Sequence, residues 1–224
     1  MNLSKFAYAY SRHGLIGFFN VMLGKIGIRY RLKTPLDKII FYLGRNIEKL
    51  SKNRILDGIY KDTHLEINRS WNSYDVASKF LGLYEKEVQE EIFNIQKSKK
   101  NKKKNLINLG AGEGYHLIGA LKKKLFNYGV AYEMDNNAKN ILNKNLIKNN
   151  LKNKVIIFDK VEGNFLEKSF PKTLKLRDCF FLIDIEDKNN GALGSLPSSY
   201  QLTKCLAYLI TETPFSSFAA DSFF

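Results

Sequence analysis

From Asn105 onward, apolar and polar positions alternate in blocks of two lengths. Leu106–Leu109, Gly129–Met134, Val155–Phe158 and Cys179–Ile185 are short apolar runs of strand length. Between them lie Tyr115–Phe126 and Asn136–Asn149, where apolar residues recur at helical spacing; the second carries Ala138, Ile141, Leu142, Leu146 and Ile147. Short, nearly continuous apolar strands alternating with helices predict an α/β unit with a parallel sheet covered on both faces. Right-handed crossovers then place whatever follows the first strand at the carboxyl end of the sheet, where such folds bind ligands.

Upstream, residues 1–96 read mostly as helix. Leu36, Ile39, Ile40, Leu43 and Ile47 fall on one helical face, and Ser78–Gln96 reads as a second amphipathic helix. Gly14–Gly24 is the longest apolar run near the start, with Lys5 and Arg12 before it and Lys25, Arg29, Arg31 and Lys33 after it. It is too short to span a bilayer and ends in no small-residue cleavage site. The expectation is an apolar helix docked on the main domain, with a helix lying on a membrane surface as the alternative. Lys97–Asn105 is a charge run that reads as a solvated linker. The chain thus divides into a helical segment (1–96), a basic linker (97–104), a sheet-forming domain (105–190) and an atypical tail (191–224). From Gly191 onward there is one Lys, no Arg and no Asn. That break suggests a change of reading frame near 187–191, with a genuine C-terminal segment of different role as the alternative. It leaves Tyr200–Thr211 to supply at most one further helix or strand.

The length of 224 residues suits one α/β domain with an extension. Two cysteines, Cys179 and Cys205, form no disulfide framework and suit a reducing, cytoplasmic setting. The formal charge of +14 is spread with Asn over most of the chain. It reads first as solvated surface, and second as a nucleic-acid footprint. His13, His64 and His116 have no metal-ligand spacing with the cysteines, so no metal is expected. Trp71, Tyr74 and Phe80 read as core packing rather than as walls of an acceptor pocket.

The chemistry concentrates at the end of the first strand, in Gly110-Ala111-Gly112-Glu113-Gly114. Glycines at a strand–helix junction let backbone approach a ligand, and the helix start offers free N–H groups. A dinucleotide fingerprint requires Gly-x-Gly-x-x-Gly, but its third position is Tyr115 here. Glu113 would also bring negative charge toward a pyrophosphate. A cationic ligand without phosphate meets no such conflict. Glu133 closes the second strand, where a carboxylate suits two ribose hydroxyls. His116, in the first turn after the glycines, points either at ligand or at solvent.

These residues resemble the class I S-adenosylmethionine-dependent methyltransferases, over about Lys79 to Glu186. The motifs are Ile107–Gly114, Glu133 and Phe181-Leu182-Ile183-Asp184-Ile185-Glu186; the last is similar to a segment of the FkbM-like branch. Leu81-Gly82-Leu83-Tyr84-Glu85 resembles segments that precede the fold. The resemblance implies a Rossmann-like sheet, C-terminally incomplete as the sequence stands, with a helical N-terminal extension. It implies S-adenosyl-L-methionine as cofactor, held by Asn108, Gly110, Gly112, Glu113, Gly114, Glu133 and Asp159, the last near the adenine. Asp184 and Glu186 would face the methyl-transfer region, where a carboxylate orients an acceptor hydroxyl or takes its proton. Two departures stand out. Asn108 replaces an acid within the first motif, and Asp187 replaces a glycine after Glu186. The implied activity is O-methylation of a small molecule or glycan. The alternatives are RNA methylation, a nicotinamide-dependent oxidoreductase (disfavoured by Tyr115) and a non-catalytic relative. With few strands to complete the sheet, the expectation is marginal stability. The acceptor and the oligomeric state are not legible.

Overall fold

The computed structural model describes residues 3–25, 35–67, 75–98, 102–162, 165–184 and 207–209. The sheet is built from β1 (Asn105–Leu109), β2 (Tyr128–Tyr132), β3 (Val155–Phe158), β4 (Cys179–Ile183) and β5 (Ala207–Leu209). Its order is β3-β2-β1-β4-β5, with every neighbouring pair parallel. The helices in this part are α5 (Tyr115–Lys122), α6 (Asn136–Lys148) and the short α7 (Phe165–Lys168), which the pattern did not foreshadow. The chain has a Rossmann-like α/β fold, as expected.

The period of two along the strands sorts the core into two layers. Leu106, Ala131, Phe180 and Leu182 face one layer, with Leu117, Ile118, Leu142 and Leu146 from α5 and α6. Ile107, Leu109, Val130, Tyr132, Phe181 and Ile183 face the other, with Val161 and Phe165. β1 and β4 are buried at every position, as central parallel strands should be. β5 lies within Tyr200–Thr211, as the tail reading allowed.

The N-terminal part departs from its reading in three ways. Its helices are α1 (Leu3–Lys25), α2 (Pro35–Leu50), α3 (Val76–Phe80) and α4 (Lys86–Lys97). Ser78–Gln96 is therefore not one helix. Gly82 sits at φ +73°, and a Cβ there would lie 2.1 Å from the Asp57 carbonyl oxygen. A close backbone approach breaks the helix that the apolar spacing favours. Second, residues 51–67 are not helical. Ile55, Tyr60 and Leu65 enter the same core layer as Leu117, together with Phe80 and Ile92. Third, α1 leaves much of its apolar run open: Leu15 is 65% exposed and Phe18, Phe19 and Met22 are also exposed, whereas Gly17 is buried and Ile16 and Val21 are half-buried. Helical spacing identifies an apolar stripe but not what covers it. Trp71 and Tyr74 lie outside the described residues, whereas Phe80 is core, as read.

Two asparagines one helical turn apart, Asn145 on α6 and Asn149 at its C-terminal cap, hold the extended segment. The Asn149 amide accepts from His64 N–H (3.0 Å) and donates to His64 C=O (2.8 Å). The Asn145 amide does the same with Glu66 (2.7 and 2.9 Å). Side-chain amides carry a donor and an acceptor, so they satisfy buried backbone as a neighbouring strand would. The described end of the charge run is also tied down: the Gln96 amide accepts from Lys103 N–H (2.8 Å) and donates to Lys103 C=O (2.9 Å).

Candidate ligand site at the glycine turn

β1 ends on Leu109, and the chain turns immediately. Gly110, Gly112 and Gly114 adopt φ values of +79°, +54° and +91°, which other residues reach only with strain. The Gly110 and Ala111 N–H groups donate to the Tyr132 carbonyl, which fastens the turn to the end of β2. The three glycines serve different ends. A Cβ on Gly114 would lie 2.5 Å from Leu142 Cδ1 and 2.8 Å from Ile118 Cδ1, so this position allows the turn to pack on α5 and α6. A Cβ on Gly112 would meet nothing within 4 Å, so this position faces open space.

Glu133 follows β2 directly and is 9% exposed. Its Oε2 accepts from Gly112 N–H at 2.7 Å and its Oε1 from Asp135 N–H at 2.8 Å. Asp135 in turn caps α6 by accepting from Asn137 N–H. The carboxylate is thus locked in orientation beside the open face of the turn. Each oxygen keeps a lone pair for a further donor.

Glu113 points elsewhere. Its carboxylate pairs with Lys79 of α3 at 2.5 Å, and its carbonyl accepts from Asn145. Asn108 is buried within β1. Asp159 follows β3, is 85% exposed at its side chain, and pairs with Lys139 of α6. Asp184 follows β4 half-buried, with its N–H donating to the Leu109 carbonyl at 2.8 Å. The structure therefore brings Gly110, Gly112, Gly114, Glu133 and Asp184 to one end of the sheet and turns the Glu113 carboxylate to α3. Glu186 lies outside the described residues.

His116 fits neither of its two expected roles. It is buried on α5, and its Nε2 donates to Glu85 Oε2 at 2.7 Å. The Tyr60 hydroxyl lies 3.5 Å from its Nδ1. Tyr84 and Tyr115 pack around the ring, and Gln89 donates to the Tyr115 hydroxyl at 3.1 Å. Burial pushes the Glu85 carboxyl up, but the His116 hydrogen bond and charge, the Tyr84 hydroxyl and Lys79 together hold it below the usual carboxylate range. Burial raises the Tyr60, Tyr84 and Tyr115 hydroxyls, so all three stay protonated. Burial is also the main cause raising the Asp75 carboxyl; Glu85 and Glu113 add to it against Lys79. Sequence reading missed this network because its members lie far apart in the chain and Glu85 looked like one more solvated helix carboxylate. The available signal was Gly82, which ends that helix just before it.

Among the described residues no group of three or more His, Cys, Asp or Glu is arranged to hold a metal, and no helix is long and apolar enough to cross a membrane. No family model and no curated protein matches the chain. Solved structures do resemble it at a distance. A putative transferase from Pyrococcus horikoshii shares 13% identity over 45% of this chain and 35% of its own, with a TM-score of 0.33. This chain thus spans about a third of that protein's length. The O-methyltransferase from Bacillus cereus in complex with SAH shares 15% over 77% and 62%, with a TM-score of 0.36. The N-terminal domain of human METTL16 in complex with SAH shares 19% over 91% and 78%, with a TM-score of 0.43. These likenesses are too distant to bear on what the site binds, which rests on the site's own residues.

Proposed function

We propose that this chain binds S-adenosylmethionine at the glycine turn and is a methyltransferase, with an acceptor hydroxyl on a small molecule or glycan, as in the FkbM-like branch. One observation carries the reading: a buried carboxylate, Glu133, held by the N–H groups of Gly112 and Asp135 beside a glycine whose Cβ position is empty. That combination fits a ligand with a vicinal diol and a body that must approach backbone closely. The Lys79–Glu113 pair beside the turn already neutralises that cation, which does not favour a pyrophosphate.

In this reading the turn from Gly110 to Gly114 holds the amino-acid end of the cofactor and Glu133 its ribose. The cofactor supplies a sulfonium-activated methyl group and a neutral thioether leaving group. What the protein adds is position. Asp184, at the end of β4, orients the acceptor hydroxyl and receives its proton as the oxygen attacks. In the same reading Asp159 exchanges Lys139 for the adenine, and Asn108 supports the turn from within β1. A nucleic-acid acceptor has only the net charge of +14 in its favour.

Calorimetric titration with S-adenosylhomocysteine and with NAD tests the proposal. Binding of the former is expected, and Gly112→Asp and Glu133→Ala should each abolish it while the circular dichroism spectrum is kept. Aspartate tolerates the left-handed conformation of position 112 but fills the open space with charge. Saturable binding of NAD alone would reject the reading.

A further inference from the structure

The two N-terminal helices expose what a soluble helix normally buries. After the kink at Gly14, α1 carries Leu15, Phe18, Phe19 and Met22 at i, i+3, i+4 and i+7, exposed by 65%, 36%, 44% and 41%. α2 repeats the pattern. Leu36, Ile39 and Leu43, at i, i+3 and i+7, are exposed by 53%, 56% and 52%, and Leu50 extends the stripe. α2 instead meets α3 through Gly44, where a Cβ would lie 3.2 Å from Val76 Cβ, so packing on the protein leaves the stripe open. Two regular apolar stripes differ from the scattered exposed side chains found on any surface.

Positive charge predominates beside these stripes. Residues 1–36 contain Lys5, Arg12, Lys25, Arg29, Arg31 and Lys33 and no Asp or Glu. On α2 the exposed Lys38, Arg45 and Lys49 outnumber the acids Asp37 and Glu48. Arg45 and Lys49 also line a cavity of about 480 Å³ with Phe41, Tyr42, Asn46, Glu48 and Asn53. We propose that α1 and α2 seat the protein on an anionic lipid surface. The stripes enter the headgroup–acyl boundary while the flanking cations meet lipid phosphates. Neither helix is long and apolar enough to cross, so they lie in the plane. A nucleic acid would satisfy the cations but leave Leu15, Met22, Leu36 and Leu43 in water. A second copy of the chain would bring two charges of +14 together.

Flotation of the full chain with lipid vesicles is the test. Vesicles of phosphatidylcholine with about a third phosphatidylserine should bind it about tenfold or more tightly than phosphatidylcholine alone. Phe18→Ser with Phe19→Ser, and separately Ile39→Ser with Leu43→Ser, should each weaken that binding about tenfold, because each removes two inserted side chains. These side chains are exposed, so thermal melting should not move. Failure to float overturns the proposal, as does flotation that the serine variants leave unchanged. Self-association of the wild type that the variants abolish would show that the stripes meet another copy. Retention of single-stranded RNA that depends on the stripes would assign the surface to nucleic acid. Binding of S-adenosylhomocysteine is unaffected by either outcome, so the cofactor proposal stands or falls separately.

Discussion

At the scale of single residues, the glycine turn separates two demands that look identical in the sequence. Gly112 and Gly114 both take left-handed φ values, and each charges a side chain about 1–2 kcal/mol for that. Only Gly114 is also pressed against Leu142 and Ile118. Gly114→Ala is therefore expected to lose on the order of 3 kcal/mol in urea unfolding, against roughly 1 kcal/mol for Gly112→Ala. Equal losses would show that packing does not distinguish them. Glu85 gives a pH-dependent counterpart. Its carboxyl titrates lower in the folded protein than in the unfolded chain, so its contribution is present above the ordinary glutamate range. It is lost as pH falls through the lowered value. Wild type should weaken more steeply than Glu85→Gln on acidification through the glutamate range, and parallel curves would contradict the assignment. The glycines and Glu133 were legible because those residue types at those places carry specific chemistry. The Glu85–His116 pair was not, since a contact between residues 31 positions apart leaves no local periodicity.

At the scale of elements, strands β1 to β4 could be read from the sequence because each is a short, mostly apolar run, with β1 and β4 buried throughout and β3 exposing Ile156. Their ends were less legible. Strand β2 stops at Tyr132, and Glu133, whose N–H still donates to the Phe158 carbonyl, turns its side chain to Gly112. Helix boundaries failed where backbone meets backbone, as at Gly82. The asparagines of α6 were read only as the polar side of a helix. Asn145 is fully buried and serves Glu66 and Glu113 at once. Asn145→Ala leaves those backbone groups unpaired and is expected to lose on the order of 3 kcal/mol by thermal or urea unfolding. Asn145→Asp should be at least as damaging, because it sets a second acceptor against the Glu66 and Glu113 carbonyls. A neutral result for both would mean that water replaces the amide without loss.

At the scale of the whole molecule, the apolar stripes of α1 and α2 and the interior packing of residues 51–67 divide the N-terminal part by role. Removing residues 1–34 takes away mostly exposed apolar surface among the described residues of α1, with only Gly17 buried and Ile16 and Val21 half-buried, and the remainder should unfold cooperatively. Extending the removal through residue 67 strips Ile55, Tyr60 and Leu65 from the core and should abolish the transition. Two deletions of similar stability would contradict that division. Sequence reading drew its boundary at residue 96 because helix ended and sheet began there. A change of secondary structure says nothing about which side chains share an interior.

The amide clamp of α6 has one more consequence. His64 and Glu66 obtain their hydrogen-bond partners from side chains that lie 85 and 79 positions later, not from a neighbouring strand. Their amide protons can resist deuterium only after α6 has formed and docked. A ribosome-bound nascent chain ending before Asn145 must therefore expose this stretch, which will acquire protection late and together with the loop that Glu113 anchors.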